Sequence, residues 1–416
     1  MQMNDPLTPK IPFGIYVLMV SAFFASASQI GQITIIGKQV WDMTGNELDL
    51  GLIGVAEFLP VALLAPITGS IADRFDRRRV LAIALSGEVI VSILLFSYIR
   101  TDPTSLKPIF ALILLFSVFR SFAMPANRAL PIDLAPSGTV ERVVALKAVS
   151  FMGGTVAGPI IFSFLFVADI ALPYLMAAIG LSTGIALLSL VPKPPVTQYK
   201  PTGTKQVIKD AFEGLRFIRR TPILFGAISL DLFAVLFGGV IALLPAIAEE
   251  RLGVGAVGLG WLRASVGIGA GITMLSLSFK PLKRNVGKRV MHMVGILGVA
   301  TIALAMTRSF AVALILIFIA AAADAVSMFI RASLVPLATP EQMRGRVLAV
   351  ESVFIGASNE LGAAESGVAA ALLGLVGAIL FGGAGTLLVV ILWWRLFPAL
   401  RSVDRFEDVR APQYNE

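Results

Sequence analysis

The feature that most constrains this chain is a recurrence of apolar stretches, each about 20 residues long and so long enough to cross a bilayer as a helix. Twelve follow one another, near 13–37, 50–72, 80–99, 108–124, 143–167, 171–191, 223–248, 257–279, 290–306, 310–330, 347–373 and 376–397. Within hydrocarbon every backbone polar group must be satisfied inside the segment, which leaves helices. Apolar residues make up 57% of the chain and charged residues 14%, against about 25% charge in a soluble domain. So little polar surface excludes a single soluble domain. Disorder is excluded too, because it needs low hydrophobicity. The spans use up most of the 416 residues, leaving short loops and no separate catalytic domain. The first span lacks the basic start and small-residue cleavage site of a signal peptide.

The chain has no cysteine and one histidine, His292. That removes disulfides, thiolate metal sites, cysteine nucleophiles and multi-histidine metal sites. Gly153-Gly154 and Gly267, Gly269 and Gly271 lie inside apolar spans. They read as helix-packing positions, not phosphate-binding loops. No enzyme activity, metal or cofactor is expected. The net charge of +8 points to loops beside anionic lipid, not to nucleic acid.

Lysine and arginine in the loops set the orientation. With the N-terminus inside, the cytoplasmic segments hold 26 of the 34 basic residues, and the outer loops hold few, Arg100, Lys107, Arg251 and Arg308 among them. Both termini are therefore expected in the cytoplasm, as an even number of spans requires.

The longest loop opens with Pro192, Lys193, Pro194 and Pro195, which cannot continue a helix. Beyond it, Ile208, Ala211, Phe212, Leu215 and Ile218 recur at helical spacing, opposite Lys205, Lys209, Arg216, Arg219 and Arg220. This pattern predicts an amphipathic helix lying on the cytoplasmic membrane surface. The expected organisation is a six-helix bundle over 1–191, a linker over 192–221, a second bundle over 222–398 and a tail over 399–416. The halves repeat in parallel. Arg128-Ala129-Leu130-Pro131 after span 4 matches Arg331-Ala332-Ser333-Leu334-Val335-Pro336 after span 10, and Arg78-Arg79-Val80 matches Lys288-Arg289-Val290. Two parallel halves joined by a basic loop are the arrangement of transporters that bind substrate between the halves.

The most specific motif is Gly69-Ser70-Ile71-Ala72-Asp73-Arg74-Phe75-Asp76-Arg77-Arg78-Arg79, between spans 2 and 3. It resembles the signature loop of the major facilitator superfamily, with Asp76 where glycine is usual. The resemblance implies an all-α membrane fold of twelve helices that alternates access by rocking its halves. It also implies a gating role for Gly69, Asp73, Arg74, Arg77, Arg78 and Arg79. Gly69 would let neighbouring helices approach, and Asp76 puts the tight-turn geometry in question. Further stretches are similar to the enterobactin-exporter and macrolide-efflux branch of drug:proton antiporters. They are Met124-Pro125-Ala126-Asn127, Gly214-Leu215-Arg216-Phe217, Asp231-Leu232-Phe233 and Arg344-Gly345-Arg346-Val347. Gly154-Thr155-Val156-Ala157-Gly158-Pro159 resembles part of the antiporter motif, in which glycines permit tight crossing and proline bends the helix. Ala145 stands where that motif has an upstream glycine.

Charged side chains inside spans face a cavity or a partner, because exposing them to lipid costs at least ~2.5–3.5 kcal/mol. They are Glu57, Glu88, Arg120, Lys147, Asp231, Arg263, Asp324, Glu351, Glu360 and Glu365. Asp231, near mid-depth of span 7, and Glu57 lead as proton-coupling residues, with Glu360, Glu365 and Arg120 as further candidates. A desolvated carboxylate there can exchange a proton with either side. Structural ion pairs, Asp231 with Arg263 or Glu57 with Lys147, are the competing reading. Glu360 and Glu365 stand about 140° apart on a helix, so one faces a cavity and the other a neighbouring helix. Asp324, Arg331, Arg344, Arg346 and Glu351 are expected to form a cytoplasmic gate in the second half. Phe24, Phe58, Phe233, Phe237, Trp261 and Asn359 are candidates to line a substrate cavity.

The expectation is a proton-coupled exporter of a hydrophobic or amphipathic small molecule, such as a siderophore or macrolide. It would sit in the bacterial inner membrane as a monomer, with lipid and a small-molecule substrate as partners and the proton gradient as driving force. The alternatives are a solute:proton symporter, a lysophospholipid flippase, and a receptor or assembly component that transports nothing.

Overall fold

The computed structural model describes residues 10–193 and 204–411. Pro194 and Pro195, the side chains of Lys205 and Ile208, and both termini lie outside the described residues. No strand occurs among the described residues, and eleven helical segments are long and apolar enough to cross a membrane. The first half supplies α1 (Phe13–Thr44), α2 (Glu47–Arg74), α3 (Arg77–Ile99), α4 (Lys107–Leu134), α5 (Val140–Ala168) and α6 (Leu172–Ser189). The linker contains α7 (Thr204–Arg220). The second half follows with α8 (Pro222–Phe237), a 3-10 turn (Gly239–Leu243), α9 (Leu244–Ala246), a π turn (Ile247–Arg251), α10 (Gly255–Phe279), α11 (Val286–Met306), α12 (Phe310–Leu337), α13 (Glu341–Leu396) and α14 (Pro398–Arg401).

Two departures from the expected spans have local causes. Spans 11 and 12 run together as α13, 56 residues that turn at Gly374, whose φ of 72° suits a residue without Cβ. Span 7 is a broken path from Pro222 to Arg251, with Pro245 following its 3-10 segment. Its 30 residues put Asp231 in the first third of the path.

The residues form two compact units. The first gathers the described parts of Met1–Ile35 and Leu59–Pro201, and the second those of Ile36–Phe58 and Thr202–Glu416. This partition differs from a division at 191, because the C-terminal end of α1 and the N-terminal end of α2 pack with the second unit's own helices. A Cβ on Gly51 would fall 2.9 Å from the Gly367 Cα, and one on Gly54 would fall 2.7 Å from the Ala363 Cβ. Only small residues at these positions let α2 and α13 approach so closely.

The core of the first unit is built from Ile15, Leu18, Leu81, Leu85, Ala126, Leu130 and Leu181. That of the second is built from Leu224, Leu230, Val290, Met291, Ile330, Leu334, Val347 and Trp393. Ile218 of α7 is buried in this second core, with Leu215 and Phe217 against it. A Cβ on Gly214 would fall 2.8 Å from the Arg346 carbonyl oxygen. The linker helix is therefore docked on α13 through Gly214, Leu215 and Ile218, while Phe212 of the same apolar set stays 68% exposed.

Candidate functional site

The most buried ion pair described joins α8 to α12. The Arg331 guanidinium donates to the Asp231 carboxylate at 2.5 Å, with the two side chains only 6% and 7% exposed. Asp324 lies about two turns before Arg331 on the same face of α12, and Glu351 of α13 is 8% exposed. Both carboxylates interact electrostatically with Arg331. Arg331 Nε has no hydrogen-bond partner among the described residues. One cation thus serves three carboxylates within the second unit, in a medium where desolvation makes an uncompensated charge costly.

This arrangement regroups the expected residues. Asp231 pairs with Arg331, not with Arg263. The set expected as one cytoplasmic gate separates into two places. Arg331, Asp324 and Glu351 belong to the buried cluster. Arg346 instead reaches the linker helix, contacting Glu213 at 2.6 Å and Asp210 at 3.0 Å. Arg344 is exposed. The reason is helical phase: Arg344 and Arg346 stand 200° apart on α13 at 100° per residue.

A second group in the same unit contains Glu57, Glu360 and Arg263, with both carboxylates in electrostatic range of the arginine. Glu57 is thus drawn to Arg263, while Lys147 donates to the Asn127 carbonyl. Glu365 accepts from its neighbour Ser366 at 3.4 Å, and the helical angle has sent it away from Glu360. Asn359 donates to the Ile355 carbonyl of its own helix at 2.8 Å. Lys38, whose side chain is 5% exposed, contacts Asp42 and reaches Glu249 at 2.8 Å. Sequence reasoning passed over Lys38, although its i,i+4 spacing from Asp42 was a readable signal.

In the first unit Glu88 is fully buried. Gln29 of α1 donates to one of its oxygens at 2.8 Å, and Ser92 donates to Gln32 at 2.7 Å. Arg120 of α4 acts on Glu88 electrostatically. At the motif loop, Arg77 grips both oxygens of Asp133 at 2.7 and 2.5 Å and reaches Asp73 at 3.0 Å. Asp76 has φ −54° and accepts from the Arg78 backbone N–H at 2.9 Å, so it caps α3. A carboxylate therefore starts this helix without the left-handed turn that glycine serves. Arg78 donates to the Val191 carbonyl at 2.5 Å. Arg79 is exposed, 3.9 Å from Asp76, and Arg74 and Asp73 are exposed as well. A Cβ on Gly69 would meet nothing within 4 Å, so this glycine provides no close helix approach here, a correction to the expectation. Asp133, the main partner of Arg77, lies two residues beyond the Arg128–Pro131 repeat and was not singled out.

Gly154 and Gly158 do bring α5 against α1. Added Cβ atoms would lie 2.0 Å from Ser26 Oγ and 2.3 Å from the Ala27 carbonyl oxygen. Pro159 is buried beside them. Among the aromatic candidates, Phe24 packs edge-on to Phe23, Phe233 against Trp393 and Phe237 against Phe381. Phe58 is half-buried, and Trp261 is exposed.

Paired helical halves with buried charge clusters define a major facilitator transporter. The nucleoside transporter NupG superposes with a TM-score of 0.72 over 93% of this chain and 99% of its own, at 14% identity. A bacterial homolog of the human lysosomal transporter Spinster superposes at 0.71 over 94% and 97%, at 16% identity. The chain belongs to the transmembrane secretion effector family, which matches residues 12–415. It is similar to the enterobactin exporter EntS of Escherichia coli O127:H6, 25% identical over 390 residues, covering 93% of this chain and 90% of that one. It is also 25% identical over 215 residues to the MFS-type transporter YfiS of Bacillus subtilis (strain 168), where the match spans half the length of that relative. The protein is a multi-pass membrane transporter.

Proposed function

We propose that this transporter is a proton-coupled exporter of a hydrophobic or amphipathic small molecule. It would sit in a bacterial inner membrane with both termini cytoplasmic and alternate access without a covalent step. The observation that carries the coupling is Arg331 shared by Asp231, Asp324 and Glu351. A proton delivered to Asp231 would remove its charge and leave the guanidinium to the other two carboxylates. Two charge arrangements of one cluster are what a proton needs to bias a two-state equilibrium. Glu57 and Glu360 around Arg263 would form a second group sensitive to substrate or proton. The similarity to an enterobactin exporter favours export, and a large amphipathic solute, over uptake.

The test is proton movement in proteoliposomes carrying an internal pH reporter, challenged in turn with a catecholate siderophore, a macrolide, a cationic dye and a lysophospholipid. One of these solutes should drive proton flux opposite to its own direction, and Asp231→Asn should abolish that flux. Solute movement with no proton flux, or full pH-dependent transport by Asp231→Asn, would overturn the coupling.

A further inference from the structure

At the basic end of the second unit, the chain beyond α13 turns back on the start of α11. The Val286 N–H donates to the Asp404 carbonyl at 3.1 Å, and the Gly287 N–H donates to the Val403 carbonyl at 3.0 Å. The Asn285 N–H donates to the Asp404 carboxylate at 2.8 Å. The first amides of a helix have no partner within it, and here the returning segment supplies them. The close approach requires Gly287, because a Cβ there would lie 1.8 Å from the Leu400 carbonyl oxygen. The segment is thus a built strap.

Beneath this strap is a cavity of about 590 Å³, lined by Arg284, Lys288, Trp394, Arg401 and Asp404, among others. Its charges are unbalanced. Asp404 is engaged by Arg284 at 3.1 Å. Neither Lys288 nor Arg401 has a carboxylate partner among the described residues. Arg401 donates to the Trp394 carbonyl at 3.2 Å, and its guanidinium stands 5.7 Å from the Trp394 ring. That leaves the guanidinium held in place while most of its N–H groups stay open to an acceptor. Lys288 is exposed on the first turn of α11. Because the helix amides are already occupied, an anion here would be held by side chains.

We infer that this cavity binds the headgroup of an acidic phospholipid. It lies where α11 begins and α13 ends, so the apolar spans reach water at this level. Trp394, its ring tilted 5.4 Å from that of His292, has the amphipathic ring that settles at a bilayer's headgroup layer. A phosphodiester would sit between Lys288 and Arg401, and its acyl chains would run down the exposed apolar side of Leu392, Leu396 and Ile391. Basic pockets at helix ends on the positively charged face of a membrane protein suit such headgroups. The inference does not depend on the direction of transport or on proton coupling.

The test is native mass spectrometry of the full chain in detergent, titrated with phosphatidylglycerol, with phosphatidylcholine and with inorganic phosphate. Phosphatidylglycerol should bind with a clear preference over phosphatidylcholine. Lys288→Gln should weaken that binding about fivefold, and K288Q/R401Q more than tenfold, at about fivefold per cation near an anionic headgroup. Lys288 makes no side-chain hydrogen bond or ion pair among the described residues, so its single variant keeps the proposal testable if the double variant does not fold. Exchanging the charges as K288R/R401K should keep the preference, and Arg219→Gln/Arg220→Gln on α7 should leave it unchanged. Equal binding of the two lipids, or an unchanged preference in Lys288→Gln, would overturn the site. So would phosphate that competes as well as the lipid does, since that would mark a free-anion site.

Discussion

Removing Arg331 should harm the protein far more than removing Asp231, although the two form one ion pair. Arg331→Met takes away the single cation facing Asp231, Asp324 and Glu351, in a site where Arg331 and Asp231 are 6% and 7% exposed. Breaking a buried pair and leaving the opposite charge uncompensated costs about 3–5 kcal/mol. Asp231→Asn instead leaves Arg331 with two carboxylates and keeps an amide oxygen that can accept its hydrogen bond. The expected cost is about 1 kcal/mol. The gap between the variants should therefore be at least about 2 kcal/mol by the same two figures. It can be read by unfolding the purified protein in mixed micelles of increasing denaturing detergent, with tryptophan fluorescence as the signal. Equal losses in Arg331→Met and Asp231→Asn would refute the shared-cation reading and return the site to an isolated pair.

Four further outcomes follow from features outside that cluster. Arg77→Lys and Asp133→Asn should lower the thermal midpoint by similar amounts, and the double variant should add little, with a coupling of about 1 kcal/mol in a double-mutant cycle. Additive losses would show that Arg77 and Asp133 do not act as a unit. Gly158→Ala should destabilise by about 1–3 kcal/mol, because the new methyl meets the Ala27 backbone. Gly69→Ala should be neutral or gain up to about 1 kcal/mol of helix propensity, and a loss at Gly69 would contradict the open space around it. The Asp404 carboxyl is held below its usual range, first by the Asn285 N–H and then by Arg284. A depressed folded-state pKa contributes stability above the unfolded value, near ~3.9, that is lost as pH falls through the folded value. The strap should therefore loosen below about pH 4, seen as a change in Trp394 emission that is absent in Asp404→Asn. Identical pH curves for the two proteins would count against this role.

Much of the fold was legible because it depends on one-dimensional quantities. Length and apolarity decide whether a segment crosses a bilayer, and the spacing of Arg128 and Arg331 exposed the parallel repeat. The motif loop was legible for a similar reason, since Asp73 and Arg77 are four residues apart on the chain and meet within one short turn. Its main partner was not, because Asp133 reaches Arg77 across 56 positions of sequence.

The sequence by itself determined that this is an all-helical membrane transporter, which residues carry buried charge, and where the basic loops gather. Hydrophobicity and helical period are properties of a segment alone. The partnerships were decided only by the tertiary structure. It gave Asp231 to Arg331 instead of Arg263, separated Arg331 from Arg346, and docked the linker helix on α13. It also strapped the tail beneath α11, leaving Lys288 and Arg401 around a cavity. These outcomes depend on the rotation of each helix about its axis and on how closely glycines such as Gly158 and Gly287 let neighbours approach. Helix phase and interhelical distance are set by packing between segments, and no single segment encodes them.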